Sequence, residues 1–457
     1  MQVEGDAEVR APEESPVATG RASQQGISRM AHRLWSSDGL RAAAIALAAT
    51  LVAWLRLDPV TRHTIWAEDG SVFLTQASHA GLFETVLLPY AGYLHVVPRL
   101  ITEVTTMFAP IMRYAVVMNG LACAVAGGVA GLVYVCSRDV VDSRLLRVGL
   151  AAITVLVPSL PREVLGNLAN LHWFFLWLAP WLLLYKPRTR TGSVLLGVVA
   201  LAGALTEIQM ALFLPLALWG WRERRGWPVR LGLLAGIAAQ LATLTHAPRP
   251  IPSGTPLEAG TVATGYLVNA VMTLWSGSAS AITHLITATG WSVPVIAAMA
   301  SVAAVLMVVR RGTPVQRRAA VAFPIASIII WTAAWVVNHP PYLYDRPGPD
   351  SAAFAIPRYA PVPSMFVLAG LLLALATISW RRWWTRIAIA ALGVPLAVAA
   401  VTTFAGQPTE RSQGPVWFAQ VAAARESCRV HPDTEPDFLV APNGWLARTP
   451  CALVEGR

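Results

Sequence analysis

Residues 66–99 read WAEDGSVFLTQASHAGLFETVLLPYAGYLHVVPR, from Trp66 to Arg99. The stretch holds an acidic pair (Glu68, Asp69), a turn glycine (Gly70), two histidines (His79, His95) and an aromatic-basic close (Tyr93, Arg99). It follows the first long apolar run, and hydrophobic segments dominate the chain on both sides of it. A chain of apolar helices that places two carboxylates in its first large loop has put binding or chemistry there. The remainder reads as scaffold and walls for that loop.

Composition gives the solvent. The 457 residues are 55% hydrophobic and 13% charged, against about 25% charged in an average soluble domain. That much apolar surface calls for a bilayer. The net charge of +10 is nearly all arginine, with Lys186 the single lysine. The arginines fall in short clusters between apolar runs, as in inward-facing membrane loops, and are no signal for nucleic acid. Residues 1–39 are polar, rich in Gly, Ser and Gln, and read as a disordered cytoplasmic tail. No cleavable signal peptide is expected there.

A membrane-crossing helix needs about 20 apolar residues. Candidates lie near 40–57, 113–137, 145–158, 170–186, 192–206, 207–221, 230–246, 291–309, 319–338, 359–380 and 386–405. The expected fold is thus an all-α polytopic membrane protein with about eleven transmembrane helices. Arginine clusters at 21–41, 138–147, 186–190, 222–230, 310–318 and 381–386 alternate with longer loops rich in Pro, His, Trp and acids. With basic loops inside, the N-terminus is cytoplasmic, the C-terminus extracytoplasmic, and the host membrane is the plasma membrane. The domain of 40–405 then carries a first outer loop at 58–112 and an outer tail at 406–457. Within that loop, 71–81 and 97–108 have apolar residues at helical spacing and read as interfacial helices. Cys123 and Cys136 lie in one apolar run and read as buried thiols. Cys428 and Cys451 lie in the outer tail, where a disulfide is permitted.

Several polar groups could do chemistry. Glu68 and Asp69 could hold a divalent cation (Mg²⁺ or Mn²⁺), or one could act as general base; the plain alternative is a solvated Asp-Gly turn. His95 and Arg99 share a helical face if the chain is helical there, and Arg99 could grip a phosphate or snorkel to headgroups with Glu103 as partner. Arg162, Glu163, Asn167, Asn170 and His172 cluster at 158–172 and could line a cavity or merely cap a helix. Glu207 stands between apolar runs, where a carboxylate is expensive and a functional candidate by default; Gln209 is beside it. The loop 338–359 carries His339, Tyr342, Tyr344, Asp345, Arg346 and Asp350, and ends in Arg358–Tyr359, where an arginine could hold a lipid phosphate. No GxxxxGK[ST], HExxH or CxxC occurs, which excludes a P-loop ATPase and the common zinc signatures.

The order of these features resembles the GT-C class of polytopic membrane glycosyltransferases. More narrowly, WAEDG…PYAGYLHVVPR, then NLHW, then PRYAPVPS, looks like an actinobacterial branch of that class, over roughly residues 40–405. The resemblance implies a GT-C-like fold that moves a sugar from a polyprenyl-phosphate donor to a glycan or lipid acceptor of the cell envelope, within membrane lipid. It implies Asp69 as general base with Glu68 as partner, and Arg358, with Arg99, on the carrier phosphate. Tyr93, His95, His172, Glu207 and Tyr359 would complete the substrate site. Two other readings use the same residues. A lipid-linked glycan flippase wants charges near mid-membrane and internal repeats, and this chain shows neither. A catalytically inactive envelope-assembly subunit would leave the acidic pair pointing into solvent.

Overall fold

The computed structural model of the chain describes residues 38–249, 258–338, 356–378, 383–405 and 409–456. The tail 1–37, the Pro-rich 250–257 and the loop residues His339 to Asp350 lie outside the described residues. The described chain is mostly helical, with two short hairpins (Pro89–Tyr90 with Tyr93–Leu94, Asp437–Val440 with Trp445–Arg448). Among the described residues, five helices are long and apolar enough to cross a membrane: Asp38–Leu55, Ile111–Asp139, Arg224–His246, Ser292–Arg311 and Pro314–Asn338. Six shorter apolar helices accompany them: Leu171–Leu184, Arg190–Ala204, Ile208–Ala217, Ala259–Leu274, Pro361–Ala376 and Ile389–Thr402.

In chain order the regular helices used below are α1 (Asp38–Leu55), α2 (Val96–Phe108), α3 (Tyr114–Cys136), α4 (Arg144–Leu156), α5 (Leu171–Leu184) and α6 (Arg190–Ala204). There follow α7 (Trp227–His246), α8 (Ala259–Tyr266), α9 (Ala279–Thr289), α10 (Ser292–Arg311), α11 (Pro314–Asn338) and α12 (Pro361–Ala376). The last are α13 (Trp383–Thr402), α14 (Trp417–Val430) and α15 (Cys451–Glu455).

The centre of the molecule is α5. Its sequence LHWFFLWLAPWLLL is apolar on every side, and nearly all of it is buried. A helix without a polar face finds its place only when other helices surround it. Trp177 packs on Phe366 of α12, and Trp181 on Phe323 of α11, with ring centroids 5.2 and 4.9 Å apart. At 14 residues and about 1.5 Å each, α5 is shorter than the hydrocarbon core. Its first turn therefore carries Asn170 and His172 into the body of the helix cluster.

Helix α1 lies along α3. A Cβ on Gly127 would sit 2.1 Å from Thr50 Oγ1 and 2.4 Å from the Ala46 carbonyl. Only glycine permits that approach, the small-residue contact by which apolar helices associate where water supplies no driving force.

The charged turns collect at two ends. At one, Arg138 of the α3–α4 turn donates to Asp38 of α1 at 2.7 Å, and Arg188 after α5 donates to Asp139 at 2.6 Å. At the other, buried Arg56 donates to the carbonyls of Val155 and Val157 at the end of α4, and of Thr403 and Phe404 after α13. A guanidinium carries five N–H donors and cannot lose its charge cheaply, so burying it requires this many oxygens.

One segment differs from the expectation. The run 207–221 is a 3₁₀ stretch Ile208–Phe213 followed by one α-turn, Leu214–Ala217. Glu207 opens it as the N-cap, its carboxylate accepting the Gln209 N–H at 2.7 Å. The apolar residues of 263–290 form α8, a π-turn Leu267–Val271, a 3₁₀ turn and then α9.

Candidate active site

The first loop folds against the mouth of α5. Residues 69–74 wind as a π-turn that continues into Thr75–His79, and the chain returns through the tight hairpin 89–94 into α2. A cavity of about 340 Å³ opens between this loop, the start of α5, the turn at 207–209 and the C-terminal ends of α7 and α11. It brings together Glu68, Tyr93, His95, His172, Glu207, Arg358 and Tyr359, from five separate parts of the sequence. Leu244, Ala333, Ala334 and Val337 give it an apolar wall.

A second cavity, of about 600 Å³, lies on the other side of Glu68. Its walls are Trp66, Arg162, Glu163, Ile356, Pro357, Thr409, Glu410, Gln413, Pro442 and Trp445. Glu68 and Arg358 are the two residues that line both cavities.

At that junction the Arg358 guanidinium lies 3.3 Å from Glu163 Oε1 and 3.9 Å from Glu68 Oε1. Its backbone N–H donates to Glu163 Oε2 at 3.2 Å. Burial alone would lower the Arg358 pKa, but Glu163, Tyr359 and Glu68 together raise it, and the cation is held firmly. Burial pushes the Glu163 carboxyl up, and the Arg358 charge pulls against it. The second oxygen of Glu68, Oε2, is buried with no hydrogen-bond partner among the described residues.

Deeper in the first cavity, His172 Nδ1 makes a short contact with Glu207 Oε2, and the other Glu207 oxygen accepts the Gln209 N–H. The carboxylate thus orients the ring through Nδ1. His95 stacks on Tyr93 with ring centroids 4.1 Å apart. Burial, then the charges of His172 and Arg99, push its pKa down to about 3. His95 is therefore a neutral wall residue. Burial also raises the phenols of Tyr90, Tyr93 and Tyr359.

Two expected residues stand apart from the cavity. Asp69 is 1% exposed, and its two oxygens accept the backbone N–H groups of Leu168 and Ala169, both at 2.7 Å. Burial raises its pKa to about 7 against the downward pull of those two bonds; Glu68 adds to the rise and Arg411 opposes it. In the π-turn Asp69 points inward while Glu68 points outward, so the pair does not converge on one ion. Among the described residues no cluster of three His, Cys, Asp or Glu side chains is placed to hold a metal.

Arg99 is fully buried behind the cavity wall. It donates to Gln76 Oε1 at 2.8 Å and lies 5.1 Å over the Phe73 ring. His95 precedes α2 rather than sharing a face with Arg99. Glu103 accepts the Thr85 hydroxyl.

Sequence reasoning missed two arginines. Arg411 in the C-terminal tail is buried, and donates to the carbonyls of Leu165 and Gly166 (3.2 and 2.9 Å) and to Asn119 Oδ1 (3.1 Å). Asp69 and Arg411 thus clamp the 165–169 loop from its N–H and C=O sides. Arg249 lines the first cavity and donates to Asn338 Oδ1 at 2.8 Å. Its entry depends on Gly92, at φ +87°, where a Cβ would lie 2.7 Å from Arg249 Cβ. The one sequence signal was Gly92 itself, in the turn PYAGY.

The tail forms a cap over the second cavity. Cys428 of α14 and Cys451 of α15 are joined as a disulfide. The Ala67 N–H donates to the Ala441 carbonyl, and the Ala441 N–H to Ile65 at 3.0 Å, so the cap pairs by backbone with the stretch that presents Glu68.

Comparison of the chain with protein-family models, with curated proteins and with solved structures finds no match.

Proposed function

We propose that this chain is a membrane glycosyltransferase of GT-C type, which moves a sugar from a polyprenyl-phosphate donor to a glycan or lipid acceptor on the outer side of the plasma membrane. The observation that carries the reading is the junction: Glu68 and Arg358 stand between an apolar-walled cavity among helices and a polar cavity under the cap. The donor occupies the first cavity, with its chain toward Leu244 and Val337. The acceptor enters the second, past Glu410 and Trp445.

In this reading Glu68, rather than Asp69, is the general base. Its unpartnered oxygen takes the proton of the acceptor hydroxyl while the hydroxyl's own oxygen bonds to the anomeric carbon. The bond from that carbon to the phosphate oxygen breaks, and the polyprenyl phosphate leaves with the electron pair. Proton transfer to a positioned carboxylate contributes about 10²–10⁴-fold. Arg358 holds Glu68 in place, and Asp69 fixes the turn that presents it. A divalent cation is compatible with Glu68 and is not required by the geometry.

The topology that accompanies this reading has about eleven crossings, cytoplasmic N-terminus and outer C-terminus. Its support is the sorting of the arginine-rich turns 138–147 and 186–190 to one end and of both cavities to the other.

The test is transfer of labelled sugar from polyprenyl-phosphate donors, in membranes expressing wild type, Glu68→Gln and Asp69→Asn at equal level. Wild-type transfer that falls about 100-fold or more in Glu68→Gln supports the base. For Asp69→Asn, the loss should track the fraction of folded protein. Equal transfer by wild type and Glu68→Gln removes Glu68 from the mechanism. Absence of transfer from every donor shifts the weight to a glycan flippase.

A further inference from the structure

We infer that Arg249, and not Arg358, holds the phosphate of the lipid-linked donor. The inference rests on the glycosyltransferase reading and names the group that anchors its donor.

Charge accounting in the cavity leads to it. Arg358 already faces two carboxylates, Glu163 at 3.3 Å and Glu68 at 3.9 Å, and the trio carries a net negative charge. A phosphate brought there meets repulsion. Glu207 is committed to His172 and to the Gln209 N–H. His95 is neutral, since burial and the nearby cations hold its pKa near 3. Arg249 alone among the cavity's cations lacks a carboxylate within ion-pair distance among the described residues. It is held from behind by a neutral amide oxygen, Asn338 Oδ1. Among the described residues its other N–H donors meet no acceptor, and a guanidinium presents them in the fork geometry that suits a phosphate.

The surroundings name the kind of phosphate. Leu244 of α7 and Val337 of α11 flank the Arg249 side of the cavity and are 39% and 38% exposed. These helix ends face out of the protein, where a bilayer supplies hydrocarbon. A phosphate monoester on an isoprenoid chain fits a cation beside such an apolar opening; free inorganic phosphate gains nothing from that wall. Gly92 leaves the space through which Arg249 reaches in.

The test measures binding of farnesyl phosphate, farnesol and inorganic phosphate to purified full-length protein, read by tryptophan fluorescence. Wild type should bind farnesyl phosphate at least tenfold more tightly than farnesol. Arg249→Gln should bring the two ligands within about twofold of each other, and Arg249→Lys should restore most of the difference, which shows that the fold is intact. Inorganic phosphate should compete with farnesyl phosphate far more weakly than unlabelled farnesyl phosphate does. A tenfold preference that persists in Arg249→Gln overturns the inference, as does a wild type that prefers neither ligand. Equally strong competition by inorganic phosphate overturns its lipid part. The assay contains no transfer step. If sugar transfer depends on Glu68 but binding ignores Arg249, this inference fails alone; if binding depends on Arg249 and no donor supports transfer, the enzyme reading fails alone.

Discussion

Glu68 and Asp69 are neighbours in the chain and opposites in surroundings. The π-turn that starts at Asp69 sends one carboxylate into a cage of backbone N–H groups and the other to the junction of two cavities. Composition at these positions makes both equally good candidates for a base; only the direction of the side chain separates them. The same scale yields a pH effect at His95. Its pKa of about 3 in the folded protein lies below the unfolded value of about 6.5. Above pH 6.5 the ring is neutral in both states and contributes no proton term. Below it the unfolded chain binds a proton that the native ring refuses, so stability falls as the pH drops from 6.5 toward 3. Between pH 7.5 and pH 5 wild type should lose about 2 kcal/mol relative to His95→Gln, measured as the difference in unfolding free energy at each pH. A difference independent of pH sinks the assignment of His95 as a buried neutral ring.

At the level of elements, the close contacts are made by glycines and the buried charges by carbonyls. Gly127 and Gly128 are adjacent in α3, yet a Cβ on the first would strike α1 and a Cβ on the second would meet nothing within 4 Å. Gly127→Val should cost about 1–3 kcal/mol through overpacking, while Gly128→Val should stay near neutral. Thermal unfolding of the two variants in detergent checks this, and equal melting temperatures would contradict the α1–α3 packing. The run GGVAG marks this helix as able to pack closely but does not say which glycine faces the partner; that depends on the rotation of α3 about its own axis. The α4 segment likewise reads as short in the sequence and is short in the structure. Arg56 secures its C-terminal end through the Val155 and Val157 carbonyls.

On the scale of the whole molecule, the cap, the first loop and the α5 mouth act as one assembly. Trp417 of the cap donates its indole N–H to the Ile111 carbonyl at 2.7 Å and packs between Tyr114 and Phe438. Ala441 pairs with the chain that carries Glu68, and Arg411 reaches the loop that Asp69 also holds. The Cys428–Cys451 bridge closes a loop with a sequence separation of 23, which stabilises the cap by about 3 kcal/mol on the chain-entropy account. Replacing both cysteines by serine should expose residues 417–456 to limited proteolysis, while the helical core still melts cooperatively. Unchanged protease resistance would show that the cap is held by its other contacts alone.

The sequence by itself determined the apolar, helical class, the alternation of basic and polar loops, and most of the polar side chains that meet in the first cavity. These follow from local composition, because a bilayer selects apolar runs and expels charge to their ends wherever the chain goes. The tertiary structure alone decided which carboxylate of the pair faces the cavities, and that Arg99 serves the wall. It also decided that Arg411 reaches back to the 165–169 loop and that Arg249 enters the first cavity. Those outcomes depend on helix rotation, on loop closure and on which charges already have partners. A single stretch of sequence does not carry that information, because the partners of each group lie elsewhere in the chain.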